Sequence, residues 1–334
     1  MLENFKRTGR IEAIDLLKLF ATILVILGHS IAKYITEGTS NPLYNYIWLT
    51  QMPLFMFVSG FLNNKPEKVV TIKQYLLTTS KKALTLLVPS ISYLLIVSMR
   101  DERNIGEAFL FFYLNPQNYL WFLWVLFVIH LVFDFGLYIS NKIRSKISFL
   151  APVIFSGMLS IIIVLLMFII KGKFDFSVLA LKLIAYYIPF YCLGYLIHIF
   201  VNSDFSQKKH AQNLFCIIAG ISFIVVVFIS FYFKSIYSFD DSNIRYVLIR
   251  VVGSIASILF CTFIADKVIK FVFFAKVSRY GTYSLQSYYL ANHFLIINLK
   301  KTTKNFSLVY YYHQKDIFHY SFKCNFLLFY RVVF

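Results

Sequence analysis

Acid is scarce in this chain. Its 334 residues hold 15 Asp and Glu against 33 Lys and Arg, and charged residues of either sign make up only 14%. A net charge of +18 in a soluble protein would point to nucleic acid as a partner. Here the bases fall between long apolar runs, so they are read as a solvated cytoplasmic face opposite anionic lipid, and no nucleic acid is expected. Cysteine is sparse too: Cys192, Cys216, Cys261 and Cys324 are scattered, with no pair at metal-ligand spacing, and are read as packing residues. There is no G-x-S-x-G elbow, Gly-rich phosphate loop, H-E-x-x-H or Cys/His ligand set, so neither a serine-hydrolase mechanism nor a bound metal is expected. Strand-like alternation is missing, which argues against an outer-membrane barrel. Internal repeats, long linkers and soluble domains are absent as well. The opening MLENFKRTGRIEAIDLL does not read as a cleaved leader, because its apolar run is too long and no small-residue cleavage site follows.

What is present is apolar. Hydrophobic residues make up 59% of the chain and aromatics 19%, and the mean hydropathy is +0.69. No soluble fold hides that much apolar surface, so the expected class is an all-α polytopic membrane protein. Nine apolar runs stand out, at roughly 12–34, 43–62, 83–99, 119–139, 147–170, 178–201, 213–233, 246–272 and 282–299; the expectation is about nine to ten transmembrane helices. Lys6, Arg7 and Arg10 precede the first run. Alternate loops then carry Lys65, Lys68, Lys73, Lys81 and Lys82; Lys142, Arg144 and Lys146; Lys208 and Lys209; and Lys267, Lys270, Lys276 and Arg279. The loops between them hold Glu37, Asp101, Glu102, Glu107, Asp175, Asp240 and Asp241 with fewer bases. This alternation predicts a multi-pass protein with a cytoplasmic N-terminus.

The first run carries a polar stripe. At about 100° per residue, Asp15, Lys18, Thr22, His29 and Lys33 fall within roughly 60° of one another on a helix that is otherwise Leu, Ile, Val, Ala and Phe. Lys18 and His29 lie almost in line, three turns and about 16 Å apart. Ionisable groups inside a bilayer are costly and usually face a bundle interior or a wet cavity where they act. Pairing of Asp15 with Lys18 explains two of these residues and leaves His29 unexplained.

Other polar groups are more ambiguous. Pro53 sits mid-segment in the second run and frees backbone groups, while Ser59 and Gly60 near its end permit close helix approach. His130 and Asp134 are four apart on one face of the fourth run, spaced for a structural pair. LWFLW at 120–124 sits where interfacial Trp is ordinary. The sixth run holds Pro189, Gly194 and an interfacial His198. In the ninth, Gln286, Tyr289 and His293 share a face beside Asn292 and form a second polar stripe. Two stripes, each with a histidine, suggest a shared polar cavity, which a relay or a transport path would also display. Arg250 and Lys182 are intramembrane charges to which the sequence assigns no partner.

In this order, IDLLKLFATILVILGHS at 14–30, QMPLFMFVSGFL at 51–62, LWFL at 120–123, IPFYCLGYLI at 188–197 and GTYSLQSYYLANH at 281–293 resemble the membrane-bound acyltransferase family 3, and especially its fucose 4-O-acetylase-like branch. That family shows a basic residue, ten intervening positions and then His in its first span; Lys18 and His29 fill those positions, with Lys where many members have Arg. Lys81 and Lys82 ahead of Pro89 match its basic cluster in the third span. The resemblance implies transfer of an acyl group, usually acetyl from acetyl-CoA used as substrate and not as a tightly bound cofactor, to a hydroxyl of a cell-surface polysaccharide or its lipid-linked precursor. It implies His29 as general base, since neutral imidazole suits that task, and Lys18, with Lys82, as contacts for the anionic end of CoA. Asp15 would hold Lys18. His293, with Asn292 and Tyr289, would orient the acceptor or polarise the thioester carbonyl. Membrane lipids and a glycan or lipid-linked saccharide are the expected partners; the oligomeric state is not indicated.

The resemblance divides the chain into a bundle, 1–299, and an atypical tail, 300–334. Where the family closes with a further span, Lys315, Asp316 and His319 interrupt any helix, and Lys300, Lys301 and Lys304 oppose the charge alternation. The tail reads as an out-of-frame translation of AT-rich sequence, which would leave a damaged and inactive copy. Two other functions compete with the enzyme: a transporter or flippase of lipid-linked glycans, and a non-catalytic component of polysaccharide export.

Overall fold

The computed structural model of the chain describes residues 11–34, 40–63, 69–100, 121–143, 148–170, 178–203, 209–233 and 243–283, together with Phe5, Asn104, 106–107, 109–110 and Ile236. Eight long helices follow one another: α1 (Glu12–Tyr34), α2 (Pro42–Leu62), α3 (Ile72–Arg100), α4 (Trp121–Lys142), α5 (Ala151–Ile169), α6 (Leu181–Val201), α7 (Lys209–Tyr232) and α8 (Ile244–Val268). A short α9 (Val272–Ser278) and a 3-10 turn (Arg279–Tyr283) close the described part. Among the described residues there is no strand, and six helices are long and apolar enough to cross a membrane: α1, α4, α5, α6, α7 and α8. These make the chain a multi-pass membrane protein by length and composition.

The other two long helices match the second and third apolar runs and carry polar residues along their length. α2 carries Asn45, Thr50 and Gln51, and α3 begins eleven residues before the run at 83, through Lys73, Gln74, Lys81 and Lys82. Its early start has a local cause. Gln74 Oε1 accepts from the backbone N–H groups of Val70 (3.1 Å) and Thr71 (2.9 Å), while Thr71 Oγ1 accepts from Gln74 N–H (3.2 Å). This reciprocal cap satisfies N-terminal donors that would otherwise have no partner. α2 and α8 open on Asn41 and Asn243, whose side chains accept from Leu43 N–H (2.8 Å) and Arg245 N–H (3.1 Å). The long helix of the eighth run, 246–272, ends at Val268, and 269–271, with Lys270 among them, lead into α9. The ninth, 282–299, and the tail 300–334 lie outside the described residues, save for 282–283 in the 3-10 turn.

α2 is the centre of the bundle and packs on α6, α1, α8 and α7; α3 lies against α4, and α5 against α4 and α6. Burial follows this order, with 61% of α6's apolar stretch enclosed against 22% of α5's. Lipid tails are as apolar as Leu, so close contact and polar bonds hold such helices together. The closest contact is α2 on α6. A Cβ on Gly60 would sit 1.9 Å from Tyr191 O, and one on Gly194 would sit 1.9 Å from Phe57 O, so two hydrogens allow the backbones to touch. Polar ties supplement this. Asn45, fully buried, donates to Ser230 O (3.1 Å) and Phe233 O (2.8 Å) and accepts from Ile236 N–H (2.9 Å). One amide thus fastens the end of α7 to α2 with both of its polar atoms used. Pro53 and Pro189 lie within continuous helices, each removing one backbone donor.

Candidate functional site: two intramembrane polar clusters

The polar stripe of α1 is real as a surface but not uniform along its length. Glu12 and Asp15 occupy the first turn, where negative charge suits the helix dipole. Lys18 Nζ donates to Asp15 Oδ1 at 3.1 Å, with the carboxylate nearly enclosed and the ammonium about one-quarter exposed (side chains 7% and 23%). Thr22 is buried and turns its hydroxyl back onto Lys18 O at 2.9 Å, so it is committed to the backbone. His29, three turns beyond Lys18, is exposed. Gly28 next to it lies against α2, where a Cβ would come within 2.9 Å of Ile47 Cγ2 and 3.1 Å of Gln51 Oε1. α1 therefore presses on α2 at Gly28 and turns His29 outward. The side chain of Lys33 lies outside the described residues.

A second cluster joins four helices. Lys82 Nζ on α3 lies 2.7 and 2.9 Å from the Asp134 carboxylate oxygens, 2.7 Å from Asn63 Oδ1 and 3.1 Å from His130 Nδ1. Asn63 Nδ2 donates to Asp134 Oδ1 at 2.8 Å, and the Tyr191 hydroxyl sits 2.8 Å from His130 Nδ1. An ammonium has three N–H groups and no acceptor. The two Asp134 oxygens and the Asn63 amide oxygen match all three. Nδ1 of His130 has a single site for its two neighbours: unprotonated it accepts from Lys82 or from the Tyr191 hydroxyl, and protonated it donates to Tyr191. Asn63 is the C-cap of α2, its N–H bonded to Ser59 O and Gly60 O. The cluster thus ties the end of α2 to α3 and α4, and Tyr191 extends it to α6.

His130 and Asp134 share a face, as their spacing predicts, and both meet Lys82. Sequence spacing gave no hint of Lys82, Asn63 or Tyr191 as their neighbours. One signal was available: a buried acid needs a cation, and Lys82 is a base immediately ahead of the preceding apolar run. Asp134 is 1% exposed. Lys82→Met, which strands that carboxylate, is therefore expected to cost about 3–5 kcal/mol. Melting of the detergent-solubilised protein checks this. The double change Lys82→Met with Asp134→Leu should recover most of the loss, and an unshifted melting point for Lys82→Met alone would show the pair to be inert.

Arg250 on α8 also finds neighbours that the sequence did not assign. It is 6% exposed, with its guanidinium carbon 5.4 Å above the Trp48 ring and 5.7 Å above the Tyr186 ring. Two aromatic faces, from α2 and α6, offset part of the cost of a buried cation. His293, Asn292 and Tyr289 lie outside the described residues, and with them the junction of the two polar stripes.

The fold and these clusters define a helical membrane protein with ion pairs set among its spans. The chain belongs to the acyltransferase domain family, whose model matches residues 11–328. Among curated proteins it is similar to the nodulation protein NolL of Mesorhizobium japonicum, 26% identical over 192 residues that make up 54% of this chain and 46% of the relative. The nodulation protein NolL of Sinorhizobium fredii is 25% identical over 192 residues, 54% of this chain and 47% of the relative. The chain spans about half the length of the curated relatives it matches. No solved structure matches it.

Proposed function

We propose that the chain is an O-acyltransferase of the bacterial cytoplasmic membrane. It moves an acyl group, acetyl in the first instance, from acyl-CoA to a hydroxyl of a cell-surface polysaccharide or its lipid-linked precursor. The observation that carries this reading is the layout of α1: one helix of an acyltransferase-family protein bears an anchored cation near one end and an exposed imidazole three turns away on the same face. The fucose 4-O-acetylase-like branch is the part of the family that the sequence segments resemble.

The chemistry needs both groups. The acceptor hydroxyl oxygen attacks the thioester carbonyl carbon, His29 takes its proton, and the C–S bond breaks to release CoA as thiolate, which then takes up a proton. Lys18, held by Asp15, contacts the phosphates of CoA. The separation of about 16 Å between Lys18 and His29 is comparable in scale to the extended pantetheine arm. This geometry requires a cytoplasmic N-terminus, so that Lys18 faces the donor. Nine to ten spans in all are proposed, with α2 and α3 crossing beside the six apolar helices. His293, Asn292 and Tyr289 are proposed to orient the acceptor. Lys82 is proposed to serve the donor indirectly, by holding the start of α3 and its exposed Lys81 in place.

Kinetics of the protein in lipid nanodiscs test the assignment. Acyl-CoA should release free thiol only when acceptor glycan is present. Lys18→Ala should raise KM for acyl-CoA about tenfold with little change in kcat, the mark of lost donor binding. Lys18→Arg should hold or lower KM, because a guanidinium grips phosphate through two parallel bonds. An unchanged KM in Lys18→Ala would remove the donor role from Lys18.

A further inference from the structure

α8 leaves the bundle at Val268, and the chain turns through 269–271 into α9, which at seven residues is too short to cross a membrane. The segment 267–283 has an unusual surface. Phe271, Val272 and Phe273 are 64%, 69% and 67% exposed, and Tyr280 and Tyr283 are 65% and 57% exposed. Lys267, Lys270, Lys276 and Arg279 are exposed among them, with Lys267 Nζ lying 5.7 Å over the Phe263 ring. Asp266, the acid that precedes them in the chain, is buried at 2%. The back of the segment is fixed. Ser278 is buried and bonds Ala275 O at 2.9 Å, and Gly281 meets α1 so closely that a Cβ would sit 1.9 Å from Asp15 O. These rings and cations are thus presented by an anchored element at the end of a span.

Water would leave the phenylalanines exposed, and hydrocarbon would strip the hydration of four cations. Only the layer where acyl chains meet headgroups satisfies both. The stretch 267–283 carries four cations and no acid in its sequence, a balance that selects a negatively charged headgroup. We propose that residues 267–283 form a binding surface for anionic phospholipid, with Phe271 and Phe273 among the acyl chains and Lys267, Lys270 and Lys276 on the phosphate. The contact of Gly281 with Asp15 places this surface at the same end of the bundle as the Asp15–Lys18 pair. The inference stands independently of the acyl-transfer reading.

Native mass spectrometry of the purified full chain tests it, with phosphatidylglycerol and phosphatidylcholine of identical acyl chains as probes. Phosphatidylglycerol is expected to bind more tightly. The triple change Lys267→Gln, Lys270→Gln, Lys276→Gln should weaken it about tenfold while leaving phosphatidylcholine unchanged, and the three corresponding Lys→Arg changes should retain binding. Phe271→Ser with Phe273→Ser should weaken both lipids, and Lys208→Gln with Lys209→Gln, a basic pair elsewhere in the sequence, neither. Retention of the phosphatidylglycerol preference in the Gln triple variant would overturn the proposal. Displacement of that lipid by adenosine 3′,5′-bisphosphate would overturn it too, by making the surface a soluble-nucleotide site.

Discussion

His29→Ala is expected to lower acyl transfer by about two to four orders of magnitude, the usual contribution of a general base, while the protein stays inserted and monodisperse. The two halves of that expectation have separate causes. Removing the imidazole leaves the acceptor hydroxyl with its proton, so its oxygen is a poor nucleophile toward the thioester. The fold should survive because His29 is exposed and packing at this level of α1 comes from Gly28 against Ile47 and Gln51. Alanine is also a better helix former than histidine. Turnover per folded molecule, measured with acyl-CoA and acceptor glycan in nanodiscs, checks the result. Undiminished turnover would make the α1 stripe structural or part of a transport path, and the base would have to be sought at His293.

Gly194→Val and Gly60→Val are expected to abolish recovery of folded protein. The α2–α6 contact is backbone on backbone: any Cβ at either glycine would lie 1.9 Å from a carbonyl oxygen that cannot rotate away. The helices would have to part, at a cost on the order of 3 kcal/mol or more, a large fraction of the stability of an ordinary domain. Parting them would also draw Tyr191 from His130, and so loosen the Lys82 cluster. Gly157→Ala and Gly220→Ala are the matched controls, since a Cβ there meets nothing within 4 Å. They should give wild-type yield in size-exclusion chromatography. Full recovery of Gly194→Val would mean that α2 and α6 are not in contact as described.

Much of this was legible in the sequence wherever a property is local. The apolar runs foretold the helices, Ser59-Gly60 foretold a close approach, and a period of 3.6 put Asp15, Lys18 and His29 on one face. The start of α3 is also local, in Thr71-x-x-Gln74, well ahead of the apolar run that begins at 83. What stayed hidden depends on which helices meet. Lys82 pairs with Asp134 fifty-two positions away, and Arg250 rests on rings from α2 and α6. Periodicity gives the face of a residue, never the helix opposite it. The eighth run reads as one segment because Phe271 and Val272 continue its hydropathy, although the long helix ends at Val268, between Lys267 and Lys270.

The central claim is that this chain adds an acyl group to a glycan hydroxyl. Mass spectrometry of the surface glycan from cells with and without the gene tests it most directly. Loss of an O-acyl group is expected, with polymer length and amount unchanged, restored by the wild-type gene but not by His29→Ala. Loss of the whole polymer, or an unaltered O-acylation pattern, would contradict it.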